Sequence, residues 1–206
     1  MLRIWGRTNS INVQKVMWTV GELGLAHQRI DAGGAFGGLD TAEYGAMNPN
    51  RKVPTIDDDG VVLWESNACV RYLAARYGAG SLWAEDPAER ARADRWMDWQ
   101  AATLLPDMGV VFWGLIRTPA DQRDPAAIEA AAGRMHGLFR ILDEHLAERD
   151  FVTGGQFTMG DIPVGAACYR YHELPIERPR LANLAAWYER LQQRAPYREH
   201  VMIPLT

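Results

Sequence analysis

Glu65-Ser66 stands directly after the apolar run Val61-Val62-Leu63-Trp64 and directly before a helical pattern. A helix N-terminus presents unpaired N–H groups and a partial positive charge, so it attracts a carboxylate, and the Ser66 hydroxyl adds a donor. A carboxylate on Glu65, one residue earlier, can meet an ammonium group. The pair therefore suits the end of an α-amino acid, which carries both charges; the competing reading is plain N-capping by Ser66 beside a solvated Glu65. A second informative place is Val53-Pro54, at the start of a predicted strand, where proline removes a ladder donor. A cis bond there would turn the Val53 N–H and C=O outward, to pair with a peptide-like ligand as an added strand does. A trans proline opening an edge strand is the alternative.

Other chemistries lose support. Cys69 and Cys168 are far apart and outside any C-x-x-C, and His27, His136, His145, His172 and His200 share no ligand spacing, so no metal site is expected. The stretch Ala32-Gly33-Gly34-Ala35-Phe36-Gly37-Gly38 lacks the Gly-Lys-Ser/Thr ending of a phosphate loop. With 22 basic against 26 acidic residues, the net charge of −4 gives no footprint for nucleic acid. Neither a leader pattern nor a membrane-length apolar run occurs, so no membrane partner and a cytoplasmic location are expected. Arginine carries nearly all the positive charge, the lysines being Lys15 and Lys52.

The elements that must position these residues follow from periodicity. Residues 2 to 5 read as a strand, and Val13, Val16, Met17, Val20 and Leu23 as one face of a helix ending at Gly24. Residues 27 to 31 suggest a strand, and Asp59-Gly60 a hairpin turn between Val53–Ile56 and Val61–Trp64. The helix opened by Ser66 places Cys69, Tyr72 and Leu73 on one face and ends at Gly78 and Gly80. From Pro87 onward the pattern is helical, around 87–117, 124–149, 158–171 and 181–195. Within the second segment Ile128, Ala131, Met135, Leu138, Phe139, Leu142 and Leu146 hold one stripe behind Pro125. The expected organisation is a mixed α/β unit over 1–80, a linker at 81–86, and an all-helical unit over 87–206.

Taken in order, these pieces resemble the glutathione transferase family over nearly the whole chain. The matching residues are Arg7-Thr8-Asn9-Ser10-Ile11-Asn12-Val13 after the first strand, Asn48-Pro49-x-x-Lys52-Val53-Pro54, Glu65-Ser66-Asn67-Ala68 with Arg71-Tyr72-Leu73, and Phe157-Thr158-Met159-Gly160-Asp161. The resemblance implies an α/β thioredoxin-like first domain that holds glutathione, and an all-α second domain that supplies the electrophile pocket. It also implies a homodimer and a role in detoxification. By position, Val53 beside Pro54 matches the residue whose backbone pairs with the cysteinyl part. Glu65 and Ser66 match the γ-glutamyl site, and Lys52 fits the glycine carboxylate.

A free thiol ionises near pH 8.5, so such an enzyme must stabilise the glutathione thiolate, and a hydroxyl or amide donor beside the first helix N-terminus can do so. The resemblance places Ser10 first in this role, Asn12 second and Thr8 third, with Ser10 or Asn12 also suited to N-capping. Met108, Phe112 and Trp113 are the expected apolar lining for a small apolar electrophile, although core packing explains such residues equally well. Thr158 and Asp161 resemble the family's buried capping box and are assigned to folding. Two further activities stay open at this level: glutathione-dependent disulfide or peroxide reduction, favoured if Asn12 is the essential group, and a non-enzymatic carrier or scaffold.

Overall fold

β1 (Leu2–Trp5) lies inside a four-stranded sheet ordered β2-β1-β3-β4, in a computed structural model that describes residues 1–206. It runs parallel to β2 (His27–Ile30) and antiparallel to β3 (Thr55–Asp58), which pairs antiparallel with β4 (Val61–Trp64). Leu2 and Ile4 of β1 point into the core while Arg3 between them is exposed, the alternation of a strand with one buried face. The register opposes Ile4 to Ile56 and Ile56 to Leu63. The β3–β4 turn is Asp59-Gly60, with φ of 50° and 94°, the two positive values that a two-residue hairpin turn requires.

α1 (Ile11–Glu22) packs on this sheet beside α3 (Ser66–Tyr77), and α2 (Ala42–Met47) fills the stretch before β3. The expected face of α3 is present: Cys69 and Leu73 are buried, while Tyr72 is half-buried and donates its hydroxyl to Asp58 at 2.9 Å. The helical half comprises α4 (Pro87–Trp99), α5 (Leu105–Phe112), α6 (Pro125–His145), α7 (Asp161–Glu173), α8 (Ala182–Gln192) and α9 (Ala195–His200). α4 and α5 are joined by a wider, π-type turn at Gln100–Leu104, and a second such turn, Trp113–Arg117, follows α5. The first directly precedes Pro106, which has no N–H for a regular helical bond. On α6 the predicted stripe is the buried one, with Ala131, Met135, Phe139 and Leu142 inside and Ile128 and Leu138 packed at its margin. No helix is long and apolar enough to cross a membrane.

Two apolar cores result, one around Ile4, Val16, Ile56 and Leu73 and a larger one among the helices. α1 belongs to both. Trp18 projects from it into the larger core, with its ring 4.6 Å from Tyr197 and 5.3 Å from Phe157. Its indole N–H donates to Glu22 at 2.8 Å, and Glu22 takes a bidentate pair from Arg194 at 2.7 and 2.6 Å. α7 approaches this tryptophan at Gly165, where a Cβ would lie 2.8 Å from the indole ring.

Thr158 and Asp161 form a wider anchor than a simple reciprocal box. Asp161 accepts the Thr158 N–H at 3.0 Å, as expected, but the Thr158 hydroxyl takes the Gly160 N–H at 3.3 Å. The Asp161 N–H goes instead to the Thr158 carbonyl at 3.1 Å. The other Asp161 oxygen accepts the Val152 N–H at 2.9 Å and the Trp187 indole N–H at 3.0 Å, which ties α7 to α8. Complete burial pushes this carboxyl up to about 6 against those three N–H donors.

Candidate active site

The β1–α1 loop sets the first wall of the site. Ser10 occupies the N-cap position of α1 with extended backbone angles, yet its side chain makes no capping hydrogen bond. The capping expected of Ser10 or Asn12 is therefore absent, and the physical reason lies across the interface with α3. Asn12 Oδ1 accepts the Ser66 hydroxyl at 3.2 Å, which occupies the amide oxygen and leaves its N–H groups for another acceptor. Ser10 is 9% exposed, and its hydroxyl has no partner within the chain.

The capping reading of Ser66 fails for the same reason. Glu65 holds the N-cap position of α3 at φ 67°, a left-handed conformation uncommon for a non-glycine residue, and Ser66 is the first helical residue. The Ser66 oxygen faces Asn12 and also lies 3.5 Å from the Lys15 ammonium. Glu65 is exposed beside it. A helix N-terminus, a hydroxyl and an exposed carboxylate thus meet where the paired residues were expected to receive an amino-acid end.

Lys15 was not recognised from sequence. It is 1% exposed and donates to Gln100 Oε1 at 2.8 Å, joining α1 to the π-type turn of the helical half. Burial, together with the nearby Arg170 charge, pulls its ammonium down to about 7, partly offset by the Glu65 carboxylate. A lysine at an inward position of a helix buried on nearly every side was the available signal.

Val53-Pro54 is cis. The Val53 N–H and C=O enter no hydrogen bond within the chain, so one backbone donor and one acceptor stand free next to β3. The Lys52 side chain is exposed, while its carbonyl accepts from the Tyr44 hydroxyl at 2.7 Å and Asn48 Nδ2 at 2.8 Å. Those two bonds anchor the segment from α2.

Ser10 and Asn12 share a cleft of about 250 Å³ with Met108, Phe112 and Trp113. The structure thus gathers residues separated by about one hundred positions into one wall-to-wall site. Thr8 is not brought there: it is exposed and lines a separate, larger groove of about 920 Å³ between α1, β2 and the last residues of the chain. Size does not select the reactive place, because the larger groove contains neither Ser10 nor Asn12 nor any of the Glu65-Ser66 pair. The same small cleft also contains Arg7, Arg117 and Arg170, which sequence reading left unassigned.

Cys69 and Cys168 are buried, and burial pushes the Cys69 thiol up to about 12 and the Cys168 thiol further, so neither supplies a thiolate. No group of three or more His, Cys, Asp or Glu side chains is placed to hold a metal ion.

A four-stranded α/β unit joined to a helical unit, with a cleft of about 250 Å³ between them and free backbone groups beside a cis proline, defines the two-part class of protein to which the chain belongs. Residues 9–76 match the family described as glutathione S-transferase, N-terminal domain, and residues 125–190 match its C-terminal domain. The chain is 43% identical over 208 residues to glutathione S-transferase GstB of Escherichia coli K12, covering all of both proteins. It is similar to the crystal structure of the theta class glutathione S-transferase from Xanthomonas axonopodis pv. citri with glutathione bound. The TM-score is 0.96, with 50% identity, over 100% of this chain and 99% of that one. Rat glutathione S-transferase theta-1 is 31% identical across 72% of this chain and 65% of its own. The chain belongs to the glutathione S-transferase family. It is an enzyme of that family, with glutathione as co-substrate.

Proposed function

We propose that glutathione lies along the α/β unit with its cysteinyl part paired to the Val53 backbone, its γ-glutamyl end on Glu65 and Ser66, and its glycine carboxylate near Lys52. The sulfur then faces the cleft, where the Ser10 hydroxyl donates to the thiolate and the Asn12 amide N–H, aimed by Ser66, supports it. Residues 1–80 hold the peptide, residues 81–86 link, and residues 87–206 supply Met108, Phe112 and Trp113 as the wall against which the electrophile rests. The thiolate forms the new carbon–sulfur bond, and the leaving group departs with its bonding pair.

The observation that carries this reading is the unpartnered Ser10 hydroxyl, beside an Asn12 whose amide oxygen is already engaged by Ser66, opening on the Phe112 and Trp113 cleft. A donor held at the sulfur lowers the thiol's pKa, and each unit needs about 1.4 kcal/mol of preference for the charged form. The test is a pH titration of the ultraviolet thiolate absorbance of glutathione with and without protein. A bound thiol ionising well below its free value supports the reading; an unshifted thiol on a bound glutathione refutes it.

The same reading includes a homodimer in the cytoplasm with a detoxifying role. What supports the dimer is the edge strand β4, whose Val61, Val62 and Trp64 are each 38% exposed, an apolar strip suited to a second copy. Sedimentation velocity distinguishes one copy from two, and a monomer at micromolar concentration would remove this part.

A further inference from the structure

Arg7 comes from the β1–α1 loop, Arg117 from the turn after α5 and Arg170 from α7, and all three line the Ser10 cleft. Arg7 and Arg170 form no ion pair with an acidic group of the chain, whereas Arg117 donates through Nε and Nη2 to an oxygen of the terminal residue Thr206. Burial pulls both Arg7 and Arg170 down, Arg170 to about 10, and the charges that act on them, those of the other arginines, add to the same pull. Arg170 is 6% exposed, and its Nε has no hydrogen-bond partner although one Nη donates to the Asn9 carbonyl at 3.0 Å. A buried, incompletely satisfied guanidinium beside two others, in a protein of net charge −4, is costly unless something anionic completes it.

The arginines are also held in place. Phe112 lies between Arg170, 4.2 Å from its ring centre, and Arg117 at 5.4 Å, and Arg117 also covers Trp113 at 5.2 Å. The Thr206 oxygen that holds Arg117 lies 2.8 Å from its Nε. Arg7 runs across Gly34, where a Cβ would lie 3.1 Å from Arg7 Cδ, so that glycine leaves room for the side chain.

We propose that this cleft takes an electrophile bearing a carboxylate, its apolar part on Phe112 and Trp113 and its anion on Arg7, Arg117 and Arg170. The inference deepens the transferase reading by naming its substrate class and rests on that reading for turnover. Glutathione's own carboxylates do not account for the three charges, because Lys52, Glu65 and Ser66 lie outside the lining of this cleft. Planar carboxylate and forked guanidinium match in shape, which a purely apolar electrophile leaves unused.

The matched probes are 4-chloro-3,5-dinitrobenzoate and 4-chloro-3,5-dinitrobenzamide, in which the glutathione thiolate displaces chloride and the two differ in charge. With each rate divided by its uncatalysed rate, kcat/KM for the acid should exceed that for the amide by about tenfold or more. Arg117→Gln and, separately, Arg7→Gln should collapse that ratio. An acid-to-amide ratio near one in the unaltered protein overturns the proposal. So does an equal fall for both electrophiles in the two variants with a raised pKa of the bound thiol, which would assign the arginines to the thiolate.

A second arm does not depend on turnover: binding of unreactive 3,5-dinitrobenzoate and 3,5-dinitrobenzamide followed by calorimetry. Tighter binding of the acid, lost in Arg117→Gln, upholds the anion site even if the thiol is not activated, in which case the transferase reading fails instead. Equal binding of acid and amide refutes the anion site whatever the kinetics.

Discussion

The Ser66 hydroxyl donates to Asn12 Oδ1 across 3.2 Å, which joins the first residue of α3 to the second residue of α1. Through this bond the γ-glutamyl end and the sulfur end of the proposed glutathione pose share a rigid link. The bond also orients the amide: with its oxygen occupied, Asn12 can only donate toward the cleft.

Ser10→Ala and Ser66→Ala should therefore separate activation from binding. Ser10→Ala removes no cap bond, so its stability should stay within about 0.5 kcal/mol of the parent. The pKa of the bound glutathione thiol should rise by about one unit or more. Ser66→Ala should weaken glutathione by about tenfold or more, the loss of a hydrogen bond to a charged carboxylate. Calorimetry and thiolate absorbance on both variants check this, and a fall in melting temperature for Ser10→Ala matching its loss of activity would return Ser10 to a structural role.

Lys15 links stability to pH with a definite sign. Its folded value, about 7, is depressed from 10.5, so between those limits the unfolded chain binds the extra proton and stability rises with pH. The contribution is fully present above 10.5 and is lost as pH falls through 7, on the order of 4 kcal/mol in all. Urea unfolding of Lys15→Met should show a flatter profile over this window; parallel profiles would show that Lys15 keeps an ordinary ammonium.

The same lysine should take up protons when a carboxylate arrives at Ser66, 3.5 Å away. S-methylglutathione, which has no thiol to ionise, should bind at pH 7.5 with uptake of a fraction of a proton. Calorimetry in buffers of different ionisation enthalpy measures this quantity. Uptake that persists in Lys15→Met would assign the proton to another group.

Asp161 has the opposite sign. A folded value near 6, above the ordinary carboxyl value of 3.8, means its contribution is fully present below about pH 4 and is lost as pH rises through 6. Replacing it by asparagine removes that slope, on the order of 3 kcal/mol across the window. The difference between the two unfolding profiles at pH 4 and pH 6.5 reads it directly, and no difference would mean that the three N–H donors hold Asp161 ionised throughout.

Gly165 is a close approach of α7 to α1 and α8. A methyl group there would sit 2.7 Å from Leu191 Cδ1 and 2.8 Å from the Trp18 ring, both fully buried. Gly165→Ala should cost about 1–3 kcal/mol by overpacking, despite the better helix propensity of alanine. A variant with unchanged or raised melting temperature would show that Trp18 can move aside.

Much of the architecture is local and was legible. Asp59-Gly60 requires nothing beyond its own backbone freedom to make the β3–β4 turn, and the stripe from Ala131 to Leu142 buries itself by period alone. The positions of Val53-Pro54 and Glu65-Ser66 likewise follow from short-range grammar at a strand start and a helix start. The sequence therefore determined the order of elements and the segments that carry the proposed peptide site.

Which atoms face that ligand was decided by tertiary structure. Nothing near Ser10 in sequence tells that its hydroxyl stays uncapped, because the competing partner of Asn12 lies 54 residues away on α3. Lys15 meets Gln100 across 85 residues, and Arg7, Arg117 and Arg170 converge from three separate elements. Periodicity registers which face of an element is buried, and each of these residues reads there as an ordinary polar side chain. Their charges acquire meaning only when packing removes water and sets them beside one another, since burial and proximity, not residue type, shift an ionisation or leave a guanidinium without its counter-ion.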